Sequence, residues 1–221
     1  WAIRRERHGR PNQAMQIDAE IEVVPMRGWS REMQFDDTGR PWIPPSPNLP
    51  TLQSVRLYPG QVLLEGTNLS EGRGTTTPFE LVGAPFIDEF ALASRLQEHG
   101  LPGVEFRPCR FRPGWDKWAG CDCGGVALHV VDVGEFRPCR TTLEVMATVK
   151  ALWPDRFEWS QPPYEYETEK MPIDILSGSD QLRERLDAGS PASGIELDQL
   201  GECDAEDWWD CTSTWRVYPT M

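Results

Sequence analysis

Positive charge, histidine and long apolar runs are all scarce in this chain, and each scarcity excludes a class of function. Lys and Arg number 22 against 35 Asp and Glu, so the formal net charge is −13. Nucleic acids and anionic membrane surfaces are bound through clustered cations, and we therefore expect neither as a partner. No apolar run approaches the ~20 residues that a membrane-spanning helix needs. The chain also opens without the pattern of a signal peptide.

The cysteines lack the paired C-x2-C motifs that make a structural zinc site persuasive. Four of the six are spaced C-x11-C-x-C-x15-C: Cys109, Cys121, Cys123 and Cys139. With only three histidines in addition, we predict no metal and no cofactor. Cys203 and Cys211 flank two tryptophans in an acidic tail, and a disulfide between them stays open because sequence alone cannot establish pairing.

The apolar content is sufficient for a globular protein with a buried core. Apolar residues make up 39% of the 221 residues, and there are ten Trp and eight Phe. A chain of this length holds one large domain or two modest ones.

The most informative stretch is a polar loop punctuated by glycines, which directly follows the apolar run 62–64. It reads EGTNLSEGRGTTTPFE over residues 65–80 and carries Glu65, Asn68, Glu71 and Arg73. Carboxylates accept hydroxyl protons or perform acid/base work, an amide donates and accepts, and a guanidinium offers a planar donor fork for a carboxylate or acetamido oxygen. This mixture is typical of a sugar-binding site.

A purely structural interpretation of the loop competes with that one. Ser70 and Thr75 are suited to cap the start of a helix, with Glu71 and Arg73 as solvated surface charges. Polar loops rich in glycine are common, so the residue types alone leave both interpretations open.

Six sequence blocks occur in an order that resembles one known family. They are VVPMRGW (23–29), FDDTGRPWIPPSPNLPT (35–51), EGTNLSEGRGTTTPFELVGAPFID (65–88), GLPGVEFRP (100–108), CGGVALHV (123–130) and PPYEYE (162–167). Through these blocks, residues 8 to about 188 resemble the exo-β-N-acetylmuramidase family, a NamZ-like group of glycoside hydrolases.

The resemblance implies a fold, an activity and a location. Family members release N-acetylmuramic acid from the non-reducing ends of peptidoglycan fragments, in a cleft between a Rossmann-like domain and a smaller C-terminal domain. The expected fold class is α/β: the remainder of a Rossmann-like domain over 1–87, truncated at its start, and then an α+β domain over 88–221. The implied partners are a peptidoglycan-derived sugar and the missing N-terminal segment or another chain. The implied location is exported, periplasmic or extracellular.

The resemblance also implies roles for individual residues. Glu65 and Glu71 are the candidate catalytic residues. The glutamate usually assigned as catalytic in the family lies in the missing front part, so this chain alone is expected to be inactive. The candidate substrate-binding residues are Asn68, Ser70, Arg73, Thr75, Asp36, Asp37, His8, Tyr164 and Tyr166.

Local alternatives remain open for some of these residues. Asp36 and Asp37 precede Thr-Gly and suit a turn as well as a sugar site. Tyr164 and Tyr166, next to prolines, suit an ordinary surface as well as a cleft wall. At the level of function, a non-catalytic carbohydrate-binding or interaction module is the competing hypothesis.

Periodicity and turn residues predict the main helices and strands. The predicted strands are 21–25, 61–65, 103–112 and 124–132. The predicted helices are 52–58, a helix capped by Asp88 that runs through Glu98, one from Thr141 to about Trp153, and one over 174–188 capped by Ser177 or Ser179. We expect a domain boundary near Pro85–Asp88.

The hexapeptide EFRPCR occurs twice, at 105–110 and 135–140. Each copy is predicted to be a strand that enters a bend at its proline. This arrangement would bring four arginines close together, as an anion site or as partners for carboxylates: Arg107, Arg110, Arg137 and Arg140.

Elemental analysis of the purified chain tests the prediction that no metal is bound. We expect far less than one zinc per chain, because the cysteine spacing lacks the paired motifs of structural zinc sites. A content near one zinc per chain that disappears when Cys121 and Cys123 are substituted would contradict this prediction.

Overall fold

Three antiparallel strands form a small sheet with β3 at its centre. The structure is a computed structural model that describes residues 20, 22–188, 210, 212–213 and 216–218. Strand β1 (Leu81–Ala84) pairs with β3 (Cys123–Val130), and β3 pairs with β2 (Val104–Phe111). The predicted strands at 103–112 and 124–132 are therefore confirmed. Strand β1 adds to the predicted set.

Glycines near the start of β3 let β1 approach closely. Gly125 lies opposite Gly83 in the register of the two strands. A Cβ atom on Gly125 would lie 2.0 Å from the carbonyl oxygen of Val82, so no side chain fits there. From Cys123 to Leu128 every residue of β3 is buried, since α-helices contact this strand as well as its two neighbours.

The described residues include five α-helices. They are α1 (Leu52–Gln61), α2 (Glu89–Glu98), α3 (Pro138–Leu152), α4 (Pro172–Ser177) and α5 (Gln181–Asp187). The predicted helices at 52–58 and 89–98 are confirmed. The Asp88 side chain caps α2 by accepting from two backbone N–H groups, as expected. Helix α3 begins at Pro138, before Thr141, because a proline suits the first helical turn.

Two of the predicted strands are wrong. Residues 62–66 form a 3-10 helix that continues α1, with Leu63 and Leu64 buried. A short apolar run does not distinguish a buried strand from a buried helical turn, and the chain here continues the rotation of the preceding helix. Residues 22–26 have no regular structure, and Val23 and Val24 are exposed. Residue 21 lies outside the described residues.

The predicted helix over 174–188 is two shorter helices. Gly178, with φ 84°, ends α4 in the left-handed conformation that glycine adopts without strain. The Ser177 hydroxyl donates to the carbonyl oxygen of Ile173 at 2.8 Å, so this serine belongs to the last turn of α4 and caps neither helix. The residue that precedes α5 is Asp180, not Ser179.

The two EFRPCR copies adopt different structures. The first lies in β2, where Pro108 is tolerated because β2 is an edge strand of the sheet. The second begins α3 instead of forming a strand, because its proline takes the first helical position. The arginines serve local partners: Arg107 contacts His129, Arg110 pairs with Glu89, and Arg137 donates to backbone carbonyls in its own loop.

The core is a continuous apolar cluster between the sheet and the helices. Its members come from α1, the 3-10 helix, all three strands and the later helices: among them Leu57, Leu64, Val82, Leu92, Val126, Met146 and Ile173. Both the sheet and this core include residues on either side of 85–88, and the domain boundary there stays a prediction. Among the described residues, no helix combines the length and apolar character needed to cross a membrane.

A substitution at Gly66 tests the packing of α4 on the 3-10 helix. A Cβ atom on Gly66 would lie 2.8 Å from the Cα atom of Ile173 and 2.9 Å from its backbone nitrogen. We expect Gly66→Ala to lower the free energy of unfolding by about 1–3 kcal/mol, because the backbone of α4 must move. Thermal unfolding measures the loss. Gly134→Ala is the control, since its nearest atom is a side-chain oxygen of Asp132 at 3.3 Å, and equal losses in both variants would contradict the close packing.

Candidate functional site

The polar loop (residues 65–80) is positioned by backbone contacts at several points. Thr67 forms an isolated bridge with Trp159, and Ser70 forms one with Gly83 of β1. The Ser160 hydroxyl contacts the carbonyl oxygens of Glu65 and Thr67, each at 3.0 Å. The loop is therefore fixed between the sheet and the segment that follows α3.

A second loop, which we call the lysine loop (residues 113–120), packs directly against the polar loop. Gly74 makes this possible: a Cβ atom there would lie 2.4 Å from the carbonyl oxygen of Trp115. The backbone N–H of Gly114 donates to the carbonyl oxygen of Gly74 at 2.8 Å. Asp116 and Trp118 have φ 68° and 58°, a region that non-glycine residues seldom adopt and that costs free energy.

Arg73 joins the two candidate catalytic carboxylates. Its Nη2 atom donates to Glu65 Oε1 at 2.5 Å, and its Nε atom lies 3.0 Å from Glu71 Oε1. Asp116 Oδ2 is 3.9 Å from the same Nε atom. Burial acts to lower the pKa of Arg73, but the hydrogen bond and charge of Glu65, with Glu71 and Asp116, outweigh it and raise the pKa. The guanidinium therefore stays charged.

Lys117 holds Glu71 from the opposite side. Its Nζ atom donates to Glu71 Oε2 at 3.0 Å and to the carbonyl oxygens of Leu64 and Leu69 at 2.8 and 3.0 Å. Glu71 is only 1% exposed. A carboxylate so deeply buried needs paired, hydrogen-bonded partners, and Arg73 and Lys117 supply them.

Tyr164 completes the group on the Glu65 side. Its hydroxyl donates to Glu65 Oε2 at 2.7 Å. Burial, the hydrogen bond to Glu65 and nearby negative charge raise the pKa of Tyr164, so the phenol remains a neutral donor. We call the six side chains of this network the Arg73 cluster: Arg73, Glu65, Glu71, Asp116, Lys117 and Tyr164.

Aromatic rings lie beside the cluster. The Arg73 guanidinium carbon is 5.1 Å from the centroid of the Phe79 ring, within the range of a cation–π contact. Tyr58 meets Phe79 edge to face at 5.0 Å between centroids. The Tyr58 side chain is partly exposed. One side of the cluster is therefore apolar, and the Glu65 and Tyr164 side is polar.

Three predicted substrate-binding residues of the polar loop make hydrogen bonds to the protein backbone. Asn68 donates to the carbonyl oxygen of Arg156 at 2.8 Å and accepts from the N–H of Glu158 at 3.1 Å. Ser70 is buried and accepts from the N–H of Gly72, and Thr75 donates to the Gly72 carbonyl oxygen. These bonds fix the turn, and a contact of these residues with substrate stays a prediction.

The other predicted substrate-binding residues are not part of the Arg73 cluster. Asp36 pairs with Arg56 of α1, and Asp37 accepts from the backbone N–H of Gln34 at the start of a 3-10 helix (Phe35–Thr38). The side chain of Tyr166 is fully exposed to solvent, at 100%. His8 lies outside the described residues.

Sequence reasoning missed Lys117 and Asp116. Both lie in the stretch GWDKW (114–118), 45 or more residues from the polar loop's Glu71 along the chain. A lone lysine and aspartate between two tryptophans are a weak signal, because the contact depends on the left-handed backbone at Asp116 and Trp118. Charge balance offered the better hint, since the polar loop carries three glutamates and a single arginine.

The described residues contain no group of three or more His, Cys, Asp or Glu side chains placed to hold a metal ion. Cys109, Cys121, Cys123 and Cys139 are free thiols. Burial raises the pKa of the Cys123 thiol to about 11, so it remains protonated and unreactive near neutral pH. Cys203 and Cys211 lie outside the described residues, and the absence of a metal stays a prediction.

Comparison with known proteins places the site in a family context. Residues 8–53 match the family model for the N-terminal part of exo-β-N-acetylmuramidase NamZ, and residues 56–218 match the model for its C-terminal part. The chain is 42% identical over 184 residues to the peptidoglycan β-N-acetylmuramidase NamZ of Bacillus subtilis, a match that covers 83% of this chain and 42% of that protein. The chain thus spans less than half the length of this relative.

Two solved structures share the fold. A DUF1343 family protein from Bacteroides fragilis superimposes with a TM-score of 0.76 at 30% identity, over 90% of this chain and 50% of that one. A second from the same organism gives 0.63 at 21% identity, over 91% and 50%. The resemblance inferred from the six sequence blocks is confirmed, and the chain belongs to the exo-β-N-acetylmuramidase NamZ family.

Proposed function

We propose that this chain forms part of a glycoside hydrolase that releases N-acetylmuramic acid from the non-reducing ends of peptidoglycan fragments. The observation that carries the proposal is Glu65, a partly exposed carboxylate held between Arg73 and Tyr164. It lies at the start of the motif by which the sequence resembles the family. The Bacillus subtilis relative is named a peptidoglycan β-N-acetylmuramidase, and this chain matches only part of it.

The burial of the two carboxylates favours different roles for them. Both carboxylates have both oxygens bonded, but the Glu71 side chain keeps only 2% of its surface exposed and the Glu65 side chain keeps 19%. A side chain that contacts the substrate must be accessible from solvent. We therefore assign contact with the sugar to Glu65 and Tyr164, and the support of Arg73 to Glu71.

Hydrolysis of a glycosidic bond generally needs two carboxyl groups on either side of that bond. Glu65 would supply one, as a stabiliser or a base, because its side chain is partly exposed and is held in place by Arg73 and Tyr164. An acid that protonates the leaving oxygen would then come from outside the Arg73 cluster, as the family resemblance implies.

The division into two domains and the export of the protein are part of the same proposal. Residues 1–87 would be the remainder of a Rossmann-like domain, with an α+β domain over 88–221. The match of residues 8–53 to the N-terminal family model supports a contribution from two domains. Export would follow from activity on cell-wall material.

A non-catalytic sugar-binding module is the second candidate. One observation favours it: Glu65 is ion-paired with Arg73, and a partly exposed carboxylate held in this way is suited to accepting hydrogen bonds from sugar hydroxyl groups. Such a module would bind peptidoglycan sugars without turnover.

Release of N-acetylmuramic acid from a chromogenic muramide separates the two candidates. The chain is assayed alone and joined behind the front half of the Bacillus subtilis relative. We expect no release by the chain alone and clear release by the joined protein. Turnover by the chain alone would contradict an active site whose acid comes from the front half of the joined protein. A joined protein that folds but has no activity would favour the binding module.

Glu65→Gln tests the assignment of Glu65 in the joined protein. We expect kcat/KM to fall by roughly 10²-fold or more, because a positioned carboxylate contributes at least that much to acid/base or electrostatic catalysis. The free energy of unfolding should change by about 1 kcal/mol or less, since partly exposed ion pairs contribute little. Glu105→Gln, an exposed change of the same charge on β2, should leave both quantities unaltered. A Glu65→Gln variant with normal kcat/KM would remove Glu65 from the site.

Lys117→Met tests the support role of the lysine loop. The change leaves Glu71 with a single cation and removes the donor shared by the Leu64 and Leu69 carbonyls. We expect a loss of about 3 kcal/mol or more in the free energy of unfolding, because one partner of a buried pair is gone. Chemical denaturation measures it, with Lys170→Met at an exposed position as the control. A loss no greater than that of the control would show that Lys117 does not support Glu71.

A further inference from the structure

We propose that the exposed side of the Arg73 cluster binds hydroxyl and amide N–H donors of an uncharged sugar and disfavours ligand carboxylates. This inference rests on the proposed function and specifies which part of the substrate meets this site. It assigns to the cluster the neutral pyranose hydroxyl and acetamido groups of a peptidoglycan sugar. The lactyl carboxylate of N-acetylmuramic acid would then lie elsewhere.

Arg73 is already committed to carboxylates of the protein itself. Its Nη2 atom bonds to Glu65 at 2.5 Å and its Nε atom faces Glu71 at 3.0 Å, with Asp116 at 3.9 Å. Phe79 covers one face of the guanidinium. A carboxylate of a ligand would have to displace one of these partners to gain a bidentate contact, so the expectation that Arg73 receives a ligand carboxylate is not favoured.

Lys117 has no donor left for a ligand either. An ammonium group offers three hydrogen-bond donors. The Lys117 Nζ atom has three acceptors within 3.0 Å, namely the Leu64 and Leu69 carbonyl oxygens and Glu71 Oε2. Both cations of the cluster thus serve its internal structure.

The formal charge of the cluster is negative. Three carboxylates, Glu65, Glu71 and Asp116, face two cations, Arg73 and Lys117, which leaves one negative charge. Like charges at short range in a partly buried site repel far more strongly than in bulk water. A carboxylate brought against this site therefore meets repulsion that a neutral sugar does not.

The groups that remain open to a ligand are acceptors. Tyr164 donates its only hydroxyl proton to Glu65, so its oxygen can only accept from a ligand. The side chains of Glu65 and Asp116 keep 19% and 35% of their surface exposed. Acceptors of this kind recognise O–H and N–H groups, which a pyranose with an acetamido substituent supplies.

Two sugars that differ only in the lactyl ether test the inference. The 221-residue chain is titrated at pH 7 with N-acetylglucosamine and with N-acetylmuramic acid, and the dissociation constants are measured by NMR. The methyl ester of N-acetylmuramic acid is included because it keeps the bulk of the lactyl group and removes its charge. We expect N-acetylglucosamine to bind at least tenfold more tightly than N-acetylmuramic acid, and the ester to recover most of that difference.

Variants that remove one negative charge show which residues discriminate between N-acetylglucosamine and N-acetylmuramic acid. Glu65→Gln and Asp116→Asn each neutralise the cluster, and we expect each to reduce the tenfold preference to about threefold or less. Glu105→Gln removes the same charge from an exposed position on β2 and should keep the full preference. This control separates the field of the cluster from the overall charge of −13. Two cluster variants are used so that a folding defect in one leaves the other informative.

The outcomes distinguish this inference from the proposed function. Equal or tighter binding of N-acetylmuramic acid would overturn the inference and leave the muramidase proposal standing. So would an ester that binds as weakly as the acid, or a preference that falls equally in Glu105→Gln. If neither sugar binds at millimolar concentrations, the inference fails together with the sugar-binding role proposed for this chain.

Discussion

The buried carboxylate of Glu71 is the constraint on which the site depends. A charge that is 1% exposed must be compensated where it lies, and it is compensated by Arg73 and by Lys117, 46 residues further along the chain. The pairing of Glu71 with Lys117 therefore joins the two loops, together with the backbone hydrogen bond from Gly114 to Gly74. The left-handed backbone at Asp116 and Trp118 is tolerated because it turns Lys117 toward the polar loop.

The side chains that compensate the buried charge are therefore different from those that are open to a ligand. Glu71 and Lys117 direct their polar atoms at the protein, whereas Glu65 and Tyr164 meet at the partly exposed end of the same network. Arg73 links the two ends, and its position is fixed from both sides. A site arranged in this way holds its acceptor oxygens in place before a ligand arrives, which lowers the cost of ordering them on binding.

Helix caps and apolar stretches in the sequence correctly predicted several of the helices and strands. Asp88 caps α2 as its sequence position suggests, and the apolar stretches of β2 and β3 are correctly predicted as strands. The prediction of a strand at 61–65 is wrong because burial in a helical turn and burial in a strand require the same apolar residues. The two EFRPCR copies show the limit most clearly, since identical hexapeptides become an edge strand and a helix start through their different surroundings.

The candidate site was predictable in composition but not in pairing. The motif 65–80 identified Glu65, Glu71 and Arg73 as neighbours, and the family resemblance added Tyr164, whose bond to Glu65 spans 99 residues. Burial could not be read from the motif, so the two glutamates looked equivalent. Lys117 was not predicted because its contact with Glu71 depends on the backbone path of a loop that is distant in sequence.

A crystal structure of the chain soaked with N-acetylglucosamine is the most direct test of how the cluster meets its ligand. We expect a sugar hydroxyl or amide nitrogen within about 2.6–3.2 Å of Glu65 or Tyr164, the usual hydrogen-bond range, with the contacts between Arg73, Glu71 and Lys117 unchanged. A sugar bound through Arg73 with Glu65 displaced, or bound at a surface remote from the polar loop, would contradict the division between support and recognition.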